Sequence, residues 1–206
     1  IYITPERLSS ELFAARVDRL NIPLVAVDEA HCVSEWGHDF RPAYLEISDV
    51  CESIGRPPMI ALTATATPEV RRDIAEQLEL RDPRVIVKGF DRPNLVWSVF
   101  HDADKRKAVA AIVNKVDGSG LIYASTRRQV ERWVDWLDRQ GVGAVGYHAG
   151  MMDEARLDAQ QQWVNDQARI MVATNAFGMG IDKPDVRFVV HVALPGSVEA
   201  YYQEAG

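Results

Sequence analysis

Cysteine is almost missing from this chain. Cys32 and Cys51 are the only two in 206 residues. They lack the paired spacing of a thiolate zinc site, and such sparse use suits free thiols in a reducing compartment, although one bridge between them is not barred. Long apolar runs are missing too. None approaches the ~20 residues of a membrane helix, and no basic-then-apolar leader opens the chain. A basic excess is absent: Lys and Arg number 23 against 30 Asp and Glu, a net charge of −7. That argues against a surface that binds nucleic acid everywhere and leaves room for a local basic groove. There is no solenoid repeat and no low-complexity tract. What remains, 47% hydrophobic and 26% charged, is ordinary for a globular protein long enough for one large domain or two small ones.

The stretch from Leu24 to Tyr44 is the densest in chemistry-bearing residues. It opens on the apolar run Leu24-Val25-Ala26-Val27, continues with Asp28-Glu29-Ala30-His31, and then carries Trp36, His38, Asp39, Phe40 and Arg41. A short apolar run bounded by polar residues suits a fully buried strand of a parallel sheet. Ligands of such sheets bind beyond the carboxyl ends of the strands, so Asp28 and Glu29 are expected at a ligand-facing edge. Taken alone, the two acids read more readily as a solvated pair at a strand end.

Elsewhere strands and helices alternate. Thr4-Pro5-Glu6 reads as a helix start, with Leu8, Leu12 and Phe13 as its apolar face. Tyr44 to Val50 suits a helix ended by Gly55, and Met59 to Leu62 a strand running into Thr63-Ala64-Thr65-Ala66. Thr67-Pro68-Glu69 repeats the helix-start chemistry, and Val85 to Val87 reads as a strand. Gly89 to Asn94 (GFDRPN) breaks any regular element and marks the domain boundary, giving domains 1–91 and 92–206. Beyond it, strands are expected at 95–100, 121–123, 142–147, 170–173 and 188–192. Helices are expected from Asp104, Thr126, Asp153 and Ser197 onward. Trp133 reads as core, and Trp136 as a surface contact on another face. The alternation predicts an α/β fold with mostly parallel sheets.

Five motifs follow in order: DEAH at 28–31, LTATAT at 62–67, IYASTR at 122–127, VATNAFGMGIDKPDVR at 172–187 and YYQEAG at 201–206. With SEWGHDFRP and GFDRPN, the set resembles the RecQ family of DNA helicases over essentially the whole chain. Any one tetrapeptide is weak, but the ordered series is specific. The resemblance implies two RecA-like lobes of a P-loop motor ATPase, with ATP and Mg²⁺ as cofactors. Single-stranded DNA and branched or tailed duplex DNA are the implied partners.

That resemblance implies roles residue by residue. Asp28 holds Mg²⁺ through water, since the ion keeps part of its hydration shell. Glu29 orients or deprotonates the attacking water, and His31 couples the nucleotide to Thr63 and Thr65. Gly180, Asp182 and Gln203 belong to the nucleotide-coupling set. Trp36, His38, Phe40 and Arg41 form an aromatic-rich loop that meets DNA. Stacking there is worth about 1–3 kcal/mol per base and is indifferent to sequence. Arg41 can pair with a phosphate or with nearby acids. Arg127, His148 and Thr174 are the implied DNA contacts of the second lobe. Each residue also has a plainer reading: core for Phe40, β-propensity for the threonines, a solvated face for Arg127, a structural role for His148, a turn for Asp182.

Two parts of such a motor are not in these residues. No Gly-Lys dipeptide occurs, so no phosphate-cradling P-loop is present, and the last motif stops before the family's arginine fingers. Both ends read as cuts, the first lobe is expected to be truncated, and the fragment alone is expected to be inactive. The implied function is the motor core of a 3′ to 5′ DNA helicase acting in repair or recombination, monomeric, in a bacterial cytoplasm. The alternatives are an RNA helicase of the DEAH type and a catalytically inactive two-lobed binding module. Intact Asp28 and Glu29 argue against the second alternative.

Overall fold

A strand needs a partner and a helix needs an apolar stripe to bury. Those two requirements decide which expected elements form. In a computed structural model the chain divides into two units, residues 1–91 and 92–206. The described residues are 1–17, 19–36, 39–88, 92–101, 104–178 and 181–205, with the backbone alone at Glu199.

The first unit begins with a 3₁₀ turn, Pro5–Arg7, and helix α1, Glu11–Val17. Thr4 makes no capping hydrogen bond and Leu12 is exposed, so the expected long amphipathic helix is replaced by a turn and a short helix. Strand β1 (Val25–Val27) leads into a 3₁₀ turn, Ala30–Val33. A further turn, Pro42–Leu45, precedes helix α2 (Glu46–Ser53), strand β2 (Met59–Ala61) and helix α3 (Pro68–Gln77). The strands pair in parallel, Val25 with Met59 and Val27 with Ala61. Thr67 caps α3 by accepting the Val70 N–H at 3.3 Å. Val70, Ile74 and Leu78, spaced at i, i+4 and i+8, bury their side chains with Cys32, Val33 and Ile47.

β1 is not the fully buried strand expected. Only Val27 is buried, while Ala26 is exposed, as is Ile60 in β2. Among the described residues this sheet has two strands. The segments at 85–87 and 95–100 are not strands either. They have no ladder partner among the described residues and leave Val85, Ile86, Val96 and Val99 exposed. Apolar content proposes a strand, but only a second backbone can satisfy its N–H and C=O groups.

The second unit follows its expected pattern closely. Asp104 caps α4 (Lys105–Lys115) through the Arg106 and Lys107 N–H groups. Then come β3 (Ser119–Tyr123), α5 (Arg127–Arg139), β4 (Ala144–Tyr147), α6 (Asp153–Val164), β5 (Ile170–Ala173), β6 (Val186–His191) and α7 (Val198–Ala205). Thr126 caps α5 through Gln129 N–H, and Gly141, at φ +75°, turns the chain after it. The order β4-β5-β3-β6 is parallel throughout. β5 is fully buried and packs the sheet centre. Trp133 and Trp136 share a face after all: three residues apart on α5, their rings meet edge-on at 5.3 Å, and both pack against the core.

Candidate functional site

At the carboxyl end of β1 the chain stops being a strand for a geometric reason. The ladder continues one step, with Leu62 N–H donating to Val27 O and Ala30 N–H to Leu62 O, both at 2.8 Å. Glu29, between them, takes the left-handed conformation, φ 48° and ψ 42°. A non-glycine residue there costs on the order of 1–3 kcal/mol and persists only where its surroundings hold it. The holders are visible: Glu29 N–H donates to Asp28 Oδ1 at 2.9 Å, and Tyr44 O–H donates to Asp28 O at 3.2 Å. The kink leaves Asp28 exposed at the strand end, buries one carboxylate oxygen of the half-buried Glu29 and tucks His31 into the core.

His31 ties this turn to the loop after β2. Its Nδ1 lies 2.9 Å from Thr63 Oγ1 and 3.3 Å from Glu29 Oε2. The Thr63 hydroxyl also reaches Thr65 O at 3.1 Å. Thr63 Oγ1 thus stands between the His31 ring and the Thr65 carbonyl. The buried hydroxyl of Thr65 has no hydrogen-bond partner among the described residues. Asp28 presents one carboxylate at a strand end. That donor fits a Mg²⁺ carried on phosphates and keeping most of its water. An all-protein cage does not fit, since no group of three or more His, Cys, Asp or Glu gathers among the described residues.

The aromatic loop starts from the same turn. Arg41 N–H donates to Cys32 O at 2.9 Å, and the Cys32 thiol lies 3.8 Å from His31 Nε2 and 3.9 Å from Asp39 Oδ2. Burial, reinforced by Asp39, pushes that thiol up to about 11. Arg41 resolves its two expected options in favour of an acid: its guanidinium holds Asp39 at 2.7 Å, which raises its own pKa. Trp36 is 80% exposed, which removes a core role. Phe40 is half-buried and lines with Trp36, Val33 and Leu45 a cleft of about 230 Å³. His38 lies outside the described residues.

In the second unit the register lines up four strand ends. Tyr147, Ala173, Tyr123 and His191 stand in one row across the sheet. The residues just beyond them form one edge, which gathers Arg127, His148 and Thr174. The exposed Arg127 lays its guanidinium against Gly150: a β-carbon at Gly150 would sit 2.6 Å from Arg127 Nη1. His148 is buried and accepts Gly150 N–H at Nδ1, 3.2 Å, while Thr174 is buried and accepts Ala176 N–H at 3.4 Å. Their side chains thus brace the loops of this edge. Asp182 is exposed in the turn before β6, and Gln203 is half-buried on α7. Gly180 lies outside the described residues.

Comparison with known proteins decides what family this geometry belongs to. Residues 104–206 match the family described as the helicase conserved C-terminal domain, and residues 1–74 match the DEAD/DEAH box helicases. This chain belongs to the helicase family, and within it to the RecQ type. It is 45% identical to the ATP-dependent DNA helicase RecQ of Bacillus subtilis, over 100% of this chain and 35% of that protein. It is 42% identical to the RecQ-like DNA helicase BLM of Xenopus laevis, over 100% of this chain and 16% of that one. This helicase chain therefore spans about a third or less of these relatives' length. Its fold is that of the solved S. cerevisiae Dbp5 bound to RNA and ADP BeF3, with a TM-score of 0.70. That match has 17% identity and covers 89% of this chain and 49% of Dbp5.

Several residues that shape the helicase site carry no motif signal. Asp73 of α3 accepts the Ser34 hydroxyl at 2.6 Å. The only hint in the sequence is a carboxylate flanking the buried stripe Val70–Ile74. Tyr44 and Cys32 brace the DEAH turn from positions that look like plain core. His191 Nε2 lies 2.8 Å from Glu204 Oε2, tying α7 to β6 beside the stacked ring of Tyr123. The Lys183 ammonium is held by Asp166 and Asp185 at 2.7 and 2.9 Å, next to the exposed Asp182.

Proposed function

We propose that these residues are the central motor portion of an ATP-dependent DNA helicase. It would couple ATP hydrolysis to 3′ to 5′ translocation on single-stranded DNA and to unwinding of tailed or branched duplexes in repair or recombination. The observation that carries the reading is the short hydrogen-bonded step from Glu29 through His31 to Thr63, with the aromatic loop rooted at the neighbouring Cys32. It joins groups suited to nucleotide chemistry to groups suited to stacking on bases. When bound, ATP with Mg²⁺ supplies the phosphoryl group and the charge neutralisation. Asp28 is the residue to hold the ion, and Glu29 the one to orient or deprotonate water.

His31 and Thr63 then relay the state of the nucleotide. Thr65, whose buried hydroxyl has no partner among the described residues, can gain one when the loop rearranges. Gly180, Asp182 and Gln203 complete the nucleotide-coupling set. Trp36, His38, Phe40 and Arg41 meet DNA in the first unit. In the second, Arg127 meets a phosphate, and His148 and Thr174 act through the loops they brace. Phosphate contacts of this kind position the strand without reading its sequence. The 45% identity with a protein named as a DNA helicase favours DNA over RNA, because the likeness to RNA-bound Dbp5 is one of fold. We take the protein to be monomeric and, from its compact motif spacing, bacterial and cytoplasmic.

The test is Glu29→Gln in the full-length protein. ATP binding is expected to persist while turnover falls by about 10²–10⁴-fold, the usual worth of a positioned base. Retained turnover refutes the role of Glu29. The 206 residues alone, without a Gly-Lys dipeptide, are expected to show no measurable ATP hydrolysis. DNA-stimulated turnover by the purified chain overturns that.

A further inference from the structure

Helix α3 touches both halves of the proposed site. It starts where the nucleotide-coupling loop ends, because Thr67, two residues after Thr65, is its N-cap. One and a half turns later, Asp73 Oδ2 accepts the hydroxyl proton of Ser34 at 2.6 Å. Ser34 is 1% exposed, and its oxygen also accepts the backbone N–H of Trp36 at 3.2 Å. The same serine hydroxyl is thus held by α3 on one side and holds the backbone of Trp36 on the other. Asp73 also lines the same cleft as Trp36, Phe40 and Gln77.

A hydroxyl donating to a carboxylate is a charge-assisted bond, short and about twice as strong as a neutral one. Trp36 itself has little packing to fix it, since its ring is 80% exposed. The backbone at Ser34 must therefore supply the aim. A displacement of the Thr63–Thr65 loop that carried the start of α3 with it would reach the root of the aromatic loop through Asp73.

We propose that Asp73 is a positioning residue for DNA-dependent activation. It acts through Ser34 to set Trp36 and links that loop to the nucleotide-coupling threonines by way of α3. This inference rests on the reading of Trp36 as a DNA contact.

The experiment uses the full-length protein and a poly-dT oligonucleotide. ATPase is titrated with DNA for Ser34→Ala, Asp73→Ala, Asp73→Asn and the Ser34→Ala/Asp73→Ala double variant, with Trp36→Ala as reference. Ser34→Ala and Asp73→Ala are each expected to raise the half-stimulating DNA concentration about tenfold, the worth of one hydrogen bond to a charged group. DNA-independent turnover should stay within about twofold. Asp73→Asn keeps an acceptor oxygen for Ser34 and should restore most of the response. The double variant should be no worse than either single one, as for two ends of one bond.

Additive losses, or no rescue by Asp73→Asn, overturn the proposal. If Asp73→Ala fails to fold, Ser34→Ala against Asp73→Asn decides: an unchanged response in the first, or an equal loss in both, overturns it. If Trp36→Ala leaves stimulation intact, the reading of the loop fails and the inference with it. If Trp36→Ala abolishes stimulation and Ser34→Ala does not, this inference alone fails.

Discussion

Gly120 is the second residue of β3, between β5 and β6, and its missing side chain is filled by a neighbour. A β-carbon built there would lie 2.2 Å from both Cε2 and Cζ of Phe188, its partner across the ladder, and 2.8 Å from Cδ2. Carbon atoms prefer about 3.5–4.0 Å, so the ring has to retreat by more than about 1 Å. The backbone cannot yield instead. Gly120 is paired with Ile170 on one side and Phe188 on the other, and its carbonyl accepts the indole N–H of Trp163 at 3.1 Å. The ring must then leave the core it packs against. Overpacking of this kind costs about 1–3 kcal/mol, and we expect about 2 kcal/mol for Gly120→Ala.

Urea unfolding of the 206-residue chain, followed by tryptophan fluorescence, measures the loss. Four of the five tryptophans lie in residues 92–206, so the signal reports on the right unit. In a Phe188→Ala background the same substitution should cost less than about 0.5 kcal/mol, because the clash is gone. An equal cost in both backgrounds refutes the assignment of the effect to the ring.

Trp36→Ala should lower DNA-stimulated ATPase of the full-length protein by at least about tenfold, a single stacked base being worth about 1–3 kcal/mol. Its melting temperature should not move, since the ring is 80% exposed. A drop in melting temperature instead would return Trp36 to the core. The buried Cys32 thiol, raised by burial and by Asp39 from 9.0 to about 11, and Cys51, raised by burial, stay protonated at neutral pH. A thiol held neutral contributes stability that is complete below the unfolded value near 9.0 and fades as the pH climbs through about 11. Denaturant midpoints should fall across that window, and Ellman's reagent should label neither thiol of the folded chain at pH 8. Rapid labelling refutes the burial. Asp166, whose carboxyl the Lys183 ammonium and then the Ser119 hydroxyl hold below its ordinary range, contributes in the opposite sense. Its share is present above the unfolded value and lost as the pH drops through the folded one. Lys183→Met should therefore destabilise the chain at neutral pH, with the gap closing in acid below 3.8. A gap independent of pH sinks the ion-pair explanation.

From Asp104 onward the second unit was legible from sequence almost element by element, although the strand expected at 95–100 does not form, and the first unit was legible only in part. In the second, capping residues Asp104 and Thr126, the stop at Gly141 and the buried runs of β3 and β5 all agree with the pairing the fold supplies. In the first, Val25–Val27 and Met59–Ala61 look like central strands, yet each has one partner among the described residues and an exposed face. Val85–Val87 has the composition of a strand and no ladder among the described residues. Composition registers what a side chain prefers; it does not say whether another backbone arrives beside it.

The chemistry divides the same way. Motif order alone named Asp28, Glu29, His31, Trp36 and Arg127 and the helicase family they belong to. Those signals survive without coordinates because each is a residue type at a fixed local spacing. Only the tertiary structure could decide that Glu29 is bent into the left-handed region and that His31 meets Thr63, 32 residues away. It alone placed Ser34 on Asp73, 39 residues on, and turned His148 and Thr174 into braces within their loops. These partners meet because strands and helices return the chain to the same edge. That return is set by cooperative packing, which no local spacing records.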